Sequence, residues 1–417
     1  MRMHDARMGL LLGIVGLVTG CGGGNSNGGV FNFGGGNNGG TGTGNGNGAN
    51  TLAVTVDGGP VAAGGTVNTL FTTVTICAPG STSECQTIDH VQVDTGSTGF
   101  RVIASVLGNG LTAGELPQAG DGNSNALDEC VQFADGYSWG TVRTADLIIG
   151  GETAAAVPIH VIGDAAAPAV PASCVTGPEE NSVQSFGANA ILGIGNFLSD
   201  CGMACETGAM AGTYYGCDSS ANCSPVAVPV NQQLQNPVSL FAADNNGVII
   251  SLPNVTVPSS TVSGTLTFGI GTQPDNTLGN AQIYTVDPDY GTMTTLYGGS
   301  QFGTSFLDAG SSGYFFSDAA IPTCADQPAF YCPPSTLMLN ATIQGNNGAT
   351  AGIAFAADNA DTDFATNAAA LPNLAGPTAS DAADVFDWGL PFFYGRNVYV
   401  AFEAGSAAGV AGPWVGF

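Results

Sequence analysis

The chain contains no lysine. Among its 417 residues, five arginines stand against 32 aspartates and glutamates, for a formal net charge of −27. Arg2 and Arg7 fall at the start of the chain, so beyond residue 20 only Arg101, Arg143 and Arg396 remain. No basic patch can be assembled from three scattered guanidinium groups, which excludes nucleic acid, and any anionic membrane surface recognised through charge, as a partner. Histidine is nearly as scarce, with His4, His90 and His160 the full set. A serine nucleophile needs a histidine base, and His90 and His160 each lie in a β-type run, where a half-buried strand residue is the expected role. The chain also has no HExxH pair and no P-loop, which removes those two chemistries.

What is present begins with an export signal. Arg2 and Arg7 precede the apolar run Met8 to Val18, which is too short to span a bilayer, and "VTGC" closes it with small residues. This resembles a bacterial lipobox, which implies that residues 1–20 are a signal peptide and that Cys21 is the lipidated mature N-terminus. Gly22 follows, not Asp, which by the same resemblance implies an outer-membrane lipoprotein, periplasmic or surface-facing. Residues 21–50 are almost wholly Gly, Asn and Thr, a composition that cannot bury enough surface to offset its ordering entropy. As a flexible coil this tether would span roughly 30 Å. Ten cysteines remain beyond Cys21, and an even number in an exported chain predicts five disulfides. Close spacing suggests Cys77 with Cys85 and Cys324 with Cys332; Cys130 with Cys174 follows by elimination. Pairing among Cys201, Cys205, Cys217 and Cys223 stays open. Those four form the one cluster with metal-site spacing, but no histidine lies near them, so neither metal nor cofactor is expected.

From Thr51 onward, short β-branched runs such as "LFTTVTIC", "HVQVDTG", "VPIHVIGD", "GVIISLP" and "NVYVAFEAG" are punctuated by Gly, Asn, Asp and Pro. Several alternate with period two, so the fold class is mostly β. The best helix candidates, near Asn231 to Leu240 and Asp381 to Phe386, are short. "DNADTDF", residues 358–364, lacks the glycine turn and closing Glu of a calcium loop and reads as a solvated acidic loop.

One pattern occurs twice. "VQVDTGSTGF" sets Asp94, Thr95, Gly96 and Ser97 after an alternating strand, and "SFLDAGSSGYFF" sets Asp308, Ala309, Gly310 and Ser311 after another. A single Asp-x-Gly is ordinary turn chemistry. Here each copy is followed by an apolar step ending in glycine: Ile191, Leu192 and Gly193 after the first, Trp388 and Gly389 after the second. In this ordered repetition, and over most of residues 66–403, the chain resembles the pepsin-like aspartic peptidases in a divergent bacterial lipoprotein form. The resemblance implies a bilobal architecture with a cleft between two β-barrel-like lobes, residues 51–273 and 274–417. It further implies that Asp94 and Asp308 form a catalytic dyad supported by the residues after them. "FADGYSWG" is similar to the flap hairpin, with Phe133, Asp135, Gly136 and Tyr137 on it.

Like charges about 3 Å apart cannot both ionise easily, so such a pair shares one proton and activates a water for attack on a peptide carbonyl. The substrate implied is a peptide or unfolded protein, and a monomer is expected. Four positions depart from the family. Ala309 has no hydroxyl for one of two cross-lobe hydrogen bonds, Phe133 stands for the flap Tyr, Arg101 stands for a Trp, and Asp387 occupies an apolar place in the second step. Tyr137 could replace the lost flap hydroxyl, although an exposed hairpin-tip side chain is the plainer expectation. Two readings follow: an aspartic endopeptidase, or a noncatalytic surface protein that keeps the cleft for peptides or another ligand. A structural outer-membrane component is a third.

Overall fold

The computed structural model describes residues 50–379 and 382–417. Residues 1–49, which include Cys21 and nearly all of the stretch read as signal peptide and tether, lie outside the described residues; Asn50, the last residue assigned to the tether, is buried and its Nδ2 donates to Phe268 O at 3.1 Å. The N-terminal half contributes strands β1 (Thr51–Val56), β2 (Leu70–Cys77), β3 (Cys85–Asp94), β4 (Thr98–Ile103), β5 (Ala126–Gln132), β6 (Tyr137–Ile149), β7 (Glu152–Ile162), β8 (Ala190–Ile194), β9 (Tyr214–Cys217), β10 (Cys223–Pro225), β11 (Gly247–Ser251) and β12 (Val262–Phe268). The second half adds β13 (Ile283–Thr285), β14 (Met293–Tyr297), β15 (Ser300–Leu307), β16 (Tyr314–Phe316), β17 (Leu337–Gln344), β18 (Thr350–Ala357), β19 (Ala375–Gly376), β20 (Val385–Trp388) and β21 (Asn397–Ala401), with a last strand at Trp414–Gly416.

Period-two burial explains the strands that have one wet face. Along β12, Val262, Leu266 and Phe268 point inward while Ser263 and Thr265 face solvent. By contrast β8 and β16 are buried throughout, on both faces. A 15-stranded sheet runs from β10 through the N-terminal lobe to β12 and β11, then crosses into β21, Trp414–Gly416 and β13 of the second half. The rest of the second half is a seven-stranded sheet, β18-β17-β14-β15-β20-β16-β19. Its core is aromatic: Phe316 and Phe386 stack at 4.9 Å, and Phe386 and Trp388 at 4.4 Å. The mostly β, two-lobed expectation is borne out.

A buried asparagine ties the lobes together. Asn68 has a left-handed backbone (φ 48°), and its Nδ2 donates to Ser312 O at 2.7 Å and Leu371 O at 2.8 Å. Its Oδ1 accepts from the Leu371 N–H and the Tyr394 hydroxyl, both at 2.8 Å. All five disulfides form, including the three pairs expected, and the open cluster resolves as Cys201–Cys205 and Cys217–Cys223.

Several local expectations fail. In place of a helix over 231–240 there are two 3-10 turns, Val230–Gln232 and Pro237–Leu240, separated by extended backbone. Residues 385 and 386 are strand rather than helix, because Phe386 and Trp388 sit two apart and bury their rings in the aromatic core. The acidic stretch is not simply solvated: Asn359 caps a short helix, Ala360–Phe364, and Asp363 is buried, which pushes its carboxyl up to about 6.

Candidate active site

Each Asp-x-Gly motif lies in a loop straddled by a central strand. In the first lobe β8 runs parallel to β3, pairing Gly193 with Asp94, and antiparallel to β4, pairing Gly193 with Gly99. In the second, β20 runs parallel to β15, pairing Trp388 with Leu307, and antiparallel to β16, pairing Trp388 with Tyr314. The closing glycines are required by space. A Cβ on Gly193 would lie 2.7 Å from Ser97 Oγ, and one on Gly389 would lie 2.1 Å from Gly313 O.

The two loops meet at the lobe junction. Gly96 and Gly310 face the opposite aspartates so closely that a Cβ would stand 2.5 Å from Asp308 Oδ2 and 2.6 Å from Asp94 Oδ1, respectively. Within each loop the carboxyl is held twice. Gly96 N–H donates to Asp94 Oδ1 at 2.7 Å and the Ser97 hydroxyl donates to Oδ2. Gly310 N–H donates to Asp308 Oδ1 at 2.7 Å, and Ser311 Oγ lies 3.1 Å from Oδ2. A Cβ on Gly310 would meet both carboxyls at once, Asp94 Oδ1 at 2.6 Å and Asp308 Oδ1 at 3.0 Å, so the two groups converge on one point. Burial first, then the Asp94 charge, then that of Asp387, raise the Asp308 carboxyl well above the usual range. Exposure is 1% for Asp94 and 0% for Asp308.

Beneath the pair, the Thr95 hydroxyl donates to Leu307 O at 3.0 Å and accepts from the Ala309 N–H at 2.9 Å. Ala309 has no hydroxyl with which to return the bond. Sequence reasoning missed a different cross-lobe link: Gln92 Nε2 donates to Gly310 O at 3.0 Å. Gln92 lies two residues before Asp94 on β3, so it shares that residue's face of the strand, the only sequence signal that could have pointed to it.

Arg101 is buried on β4 within a polar cluster. Its Nη2 meets Glu129 Oε1 at 2.7 Å and Asp200 Oδ2 at 3.3 Å, and Nη1 donates to Thr98 O at 2.8 Å. His160 is fully buried rather than half-buried, with Nδ1 3.0 Å from Glu129 Oε2. The Tyr214 hydroxyl sits 2.8 Å from Asp200 Oδ1. Burial works to raise the Glu129 carboxyl, but the charges of Arg101 and His160 outweigh it and hold the group at about 2. Burial and the Glu129 charge push Asp200 the other way, well up. Of this cluster only Arg101 and His160 had been noticed in the sequence, and not as neighbours, because its members are scattered from residue 101 to 214.

The flap-like segment is the turn between β5 and β6. Phe133 N–H donates to Gly136 O at 2.8 Å, and the Phe133 ring packs edge-on against Phe186. Tyr137 is not an exposed tip. It is buried in a cluster with Trp139, Tyr215 and the Cys130–Cys174 bridge, because residues 178–180 run alongside it. Tyr137 N–H donates to Pro178 O at 3.0 Å, and Glu180 N–H donates to Tyr137 O at 2.8 Å. There Asp135 and Glu180 face each other. Burial pushes Asp135 up to about 7, and burial with the Asp135 charge pushes Glu180 up to about 9, so the pair holds a proton at neutral pH. Elsewhere a groove of about 590 Å³ opens beside Leu198, Leu240 and Phe402; neither motif aspartate lines it.

Two lobes, each carrying an Asp-x-Gly loop around a central strand, with the two aspartates converging at the junction, define a bilobal, mostly β architecture. The chain belongs to the family described as "Protein of unknown function (DUF3443)", whose model matches residues 46–417. No curated protein matches it. Among solved structures it is similar to the aspartic proteinase from Irpex lacteus, at 15% identity and a TM-score of 0.48, over 88% of this chain and 96% of that one.

Proposed function

We propose that the protein is an aspartic endopeptidase that cleaves peptide or unfolded-protein substrates with Asp94 and Asp308. The observation that carries this reading is the convergence of the two carboxyls at the lobe junction, each held by a glycine N–H and a serine hydroxyl in matching loops. A pair in this geometry shares one proton. The ionised member takes a proton from a water between them, and the protonated member polarises the scissile carbonyl. The raised Asp308 carboxyl supports that residue as the principal proton holder. The signal and Cys21 support a lipid-anchored, outer-membrane setting for the activity.

Cleavage of unfolded protein is expected near pH 3 to 5, an approximate window set by ordinary carboxylate values. Asp94→Asn and Asp308→Asn should each abolish it while leaving the thermal transition in place. Statine-type peptides, which mimic the tetrahedral intermediate, should inhibit. One observation favours a second reading, a noncatalytic cleft protein: the near-complete burial of both carboxyls. Absence of cleavage from about pH 2 to 7, a range bracketing those same carboxylate values, together with peptide binding that survives both Asp→Asn changes, would sink the first reading and leave the second.

A further inference from the structure

The second apolar-Gly step carries a charge-bearing residue where the rest of its strand is aromatic and apolar. Asp387 lies between Phe386 and Trp388 on β20 and is fully buried. Because side chains alternate along a strand, the two rings enter the aromatic core and Asp387 points to the opposite face. There its Oδ2 lies 2.5 Å from Ser311 Oγ, the hydroxyl that also stands 3.1 Å from Asp308 Oδ2. One serine hydroxyl thus bridges two carboxyls. It has a single proton to give, so one of the two carboxyls must itself be protonated and donate to Ser311 Oγ.

The surroundings decide which. Asp387 Oδ1 is buried with no hydrogen-bond partner among the described residues, tolerable for a neutral carboxyl and expensive for a carboxylate. The ionisable groups that act on Asp387 are acidic: Asp94 directly, and Asp308 on the end of the adjoining strand, which feels the Asp387 charge in turn. From β16, Tyr314 turns its ring to Trp388 and Phe355. Arg396 is engaged elsewhere, with Nη1 on Phe392 O and its guanidinium 4.4 Å from that residue's ring. Asp308, by contrast, accepts from the Gly310 N–H and has the Asp94 carboxyl close beside it.

We propose that Asp387 is an un-ionised third carboxyl of the site, a positioning residue that donates its proton to Ser311 Oγ and so directs the Ser311 proton onto Asp308. The reading of this residue as part of an active site rests on the peptidase proposal; its protonation state does not. Burial, working against the Ser311 hydrogen bond and joined by the Asp94 charge, raises its carboxyl well above the ordinary range. If Asp387 ionised, Ser311 would turn its proton to it, Asp308 would lose that bond, and a third negative charge would stand beside the dyad.

The test compares Asp387→Asn, which keeps a donor to Ser311 and cannot ionise, with Asp387→Leu, which removes the donor. Infrared difference spectroscopy of the purified protein at pH 7, wild type minus Asp387→Asn, should show the loss of one protonated-carboxyl band. A carboxylate band lost instead overturns the proposal, whether or not any substrate is cleaved. If Asp387→Asn does not fold, Ser311→Ala serves: the protonated-carboxyl band must shift as its acceptor disappears, and an unchanged band refutes the bridge. Where cleavage is measurable, Asp387→Leu should lower kcat at acid pH with KM little changed and shift the pH profile, and Asp387→Asn should do both to a smaller degree. Identical pH profiles for all three proteins would make Asp387 merely structural.

Discussion

Replacing Arg101 by Met removes the one guanidinium from a buried cluster and leaves Glu129 and Asp200 behind. In the intact protein Glu129 is 2% exposed and sits 2.7 Å from Arg101, which with His160 brings its carboxyl from 4.5 to about 2. Breaking one partner out of a buried ion pair typically costs about 3–5 kcal/mol, and the contact that His160 keeps with Glu129 Oε2 places the loss toward the lower end of that range. The sign follows from the direction of the shift. A depressed carboxyl contributes stability that is fully present above its unfolded value and is lost as pH falls through the folded one. The gap between wild type and Arg101→Met should therefore be full at pH 7 and should close as pH falls toward 2. Guanidinium chloride unfolding at neutral pH and near the low end, with disulfides intact, measures it. Adding Glu129→Gln to Arg101→Met should recover much of the loss, because no uncompensated charge stays buried. A loss of equal size at both pH values, or no recovery in the double variant, would show that Arg101 acts through packing alone.

The Asp135–Glu180 pair should make the anchoring of the β5–β6 turn pH-dependent: both carboxyls are raised, so the contact is complete at acid pH and weakens as pH rises through about 7 and then about 9. Protection of the Tyr137 and Glu180 amides from hydrogen exchange, taken relative to the intrinsic base-catalysed rate, should fall over that interval, and Glu180→Gln should flatten the dependence; uniform protection in wild type would contradict the pairing. At the N-terminus, Cys21→Ser should abolish incorporation of a fatty-acid analogue and release the protein from membranes, and equal label in both proteins would end the lipoprotein proposal.

How much of this could be read from the chain differs residue by residue. Asp94 and Asp308 were legible because strand alternation, the Asp-x-Gly turn and the following serine are all local, and because the pattern recurs. The missing hydroxyl at Ala309 was legible for the same reason, and the structure shows Thr95 making its cross-lobe bonds without return from that side. Gln92 was not, since a glutamine on a strand carries no sign of which carbonyl it will meet 218 residues away. Tyr137 was misjudged because exposure at a hairpin end depends on what packs over it, here the residues around Pro178. Asp387 stood out in the sequence as a charge in an apolar step. Only the fold could supply its partner, 76 residues earlier in the chain.

The Asn68 hub has a consequence for anyone who would take the molecule apart. Its amide is satisfied entirely by groups that the chain supplies 244 to 326 residues later, at Ser312, Leu371 and Tyr394. Expressed alone, a first half would carry a left-handed asparagine built for a socket that is not there, and the second half would expose the socket, with about 1–3 kcal/mol at stake for each polar group left dry and unpaired. A gene encoding one half could therefore become a freestanding protein only after this asparagine had been replaced. A cut through the exposed Pro274–Asp275 stretch is a different event. It severs the chain and leaves the plug in its socket, so that two fragments would persist as one particle.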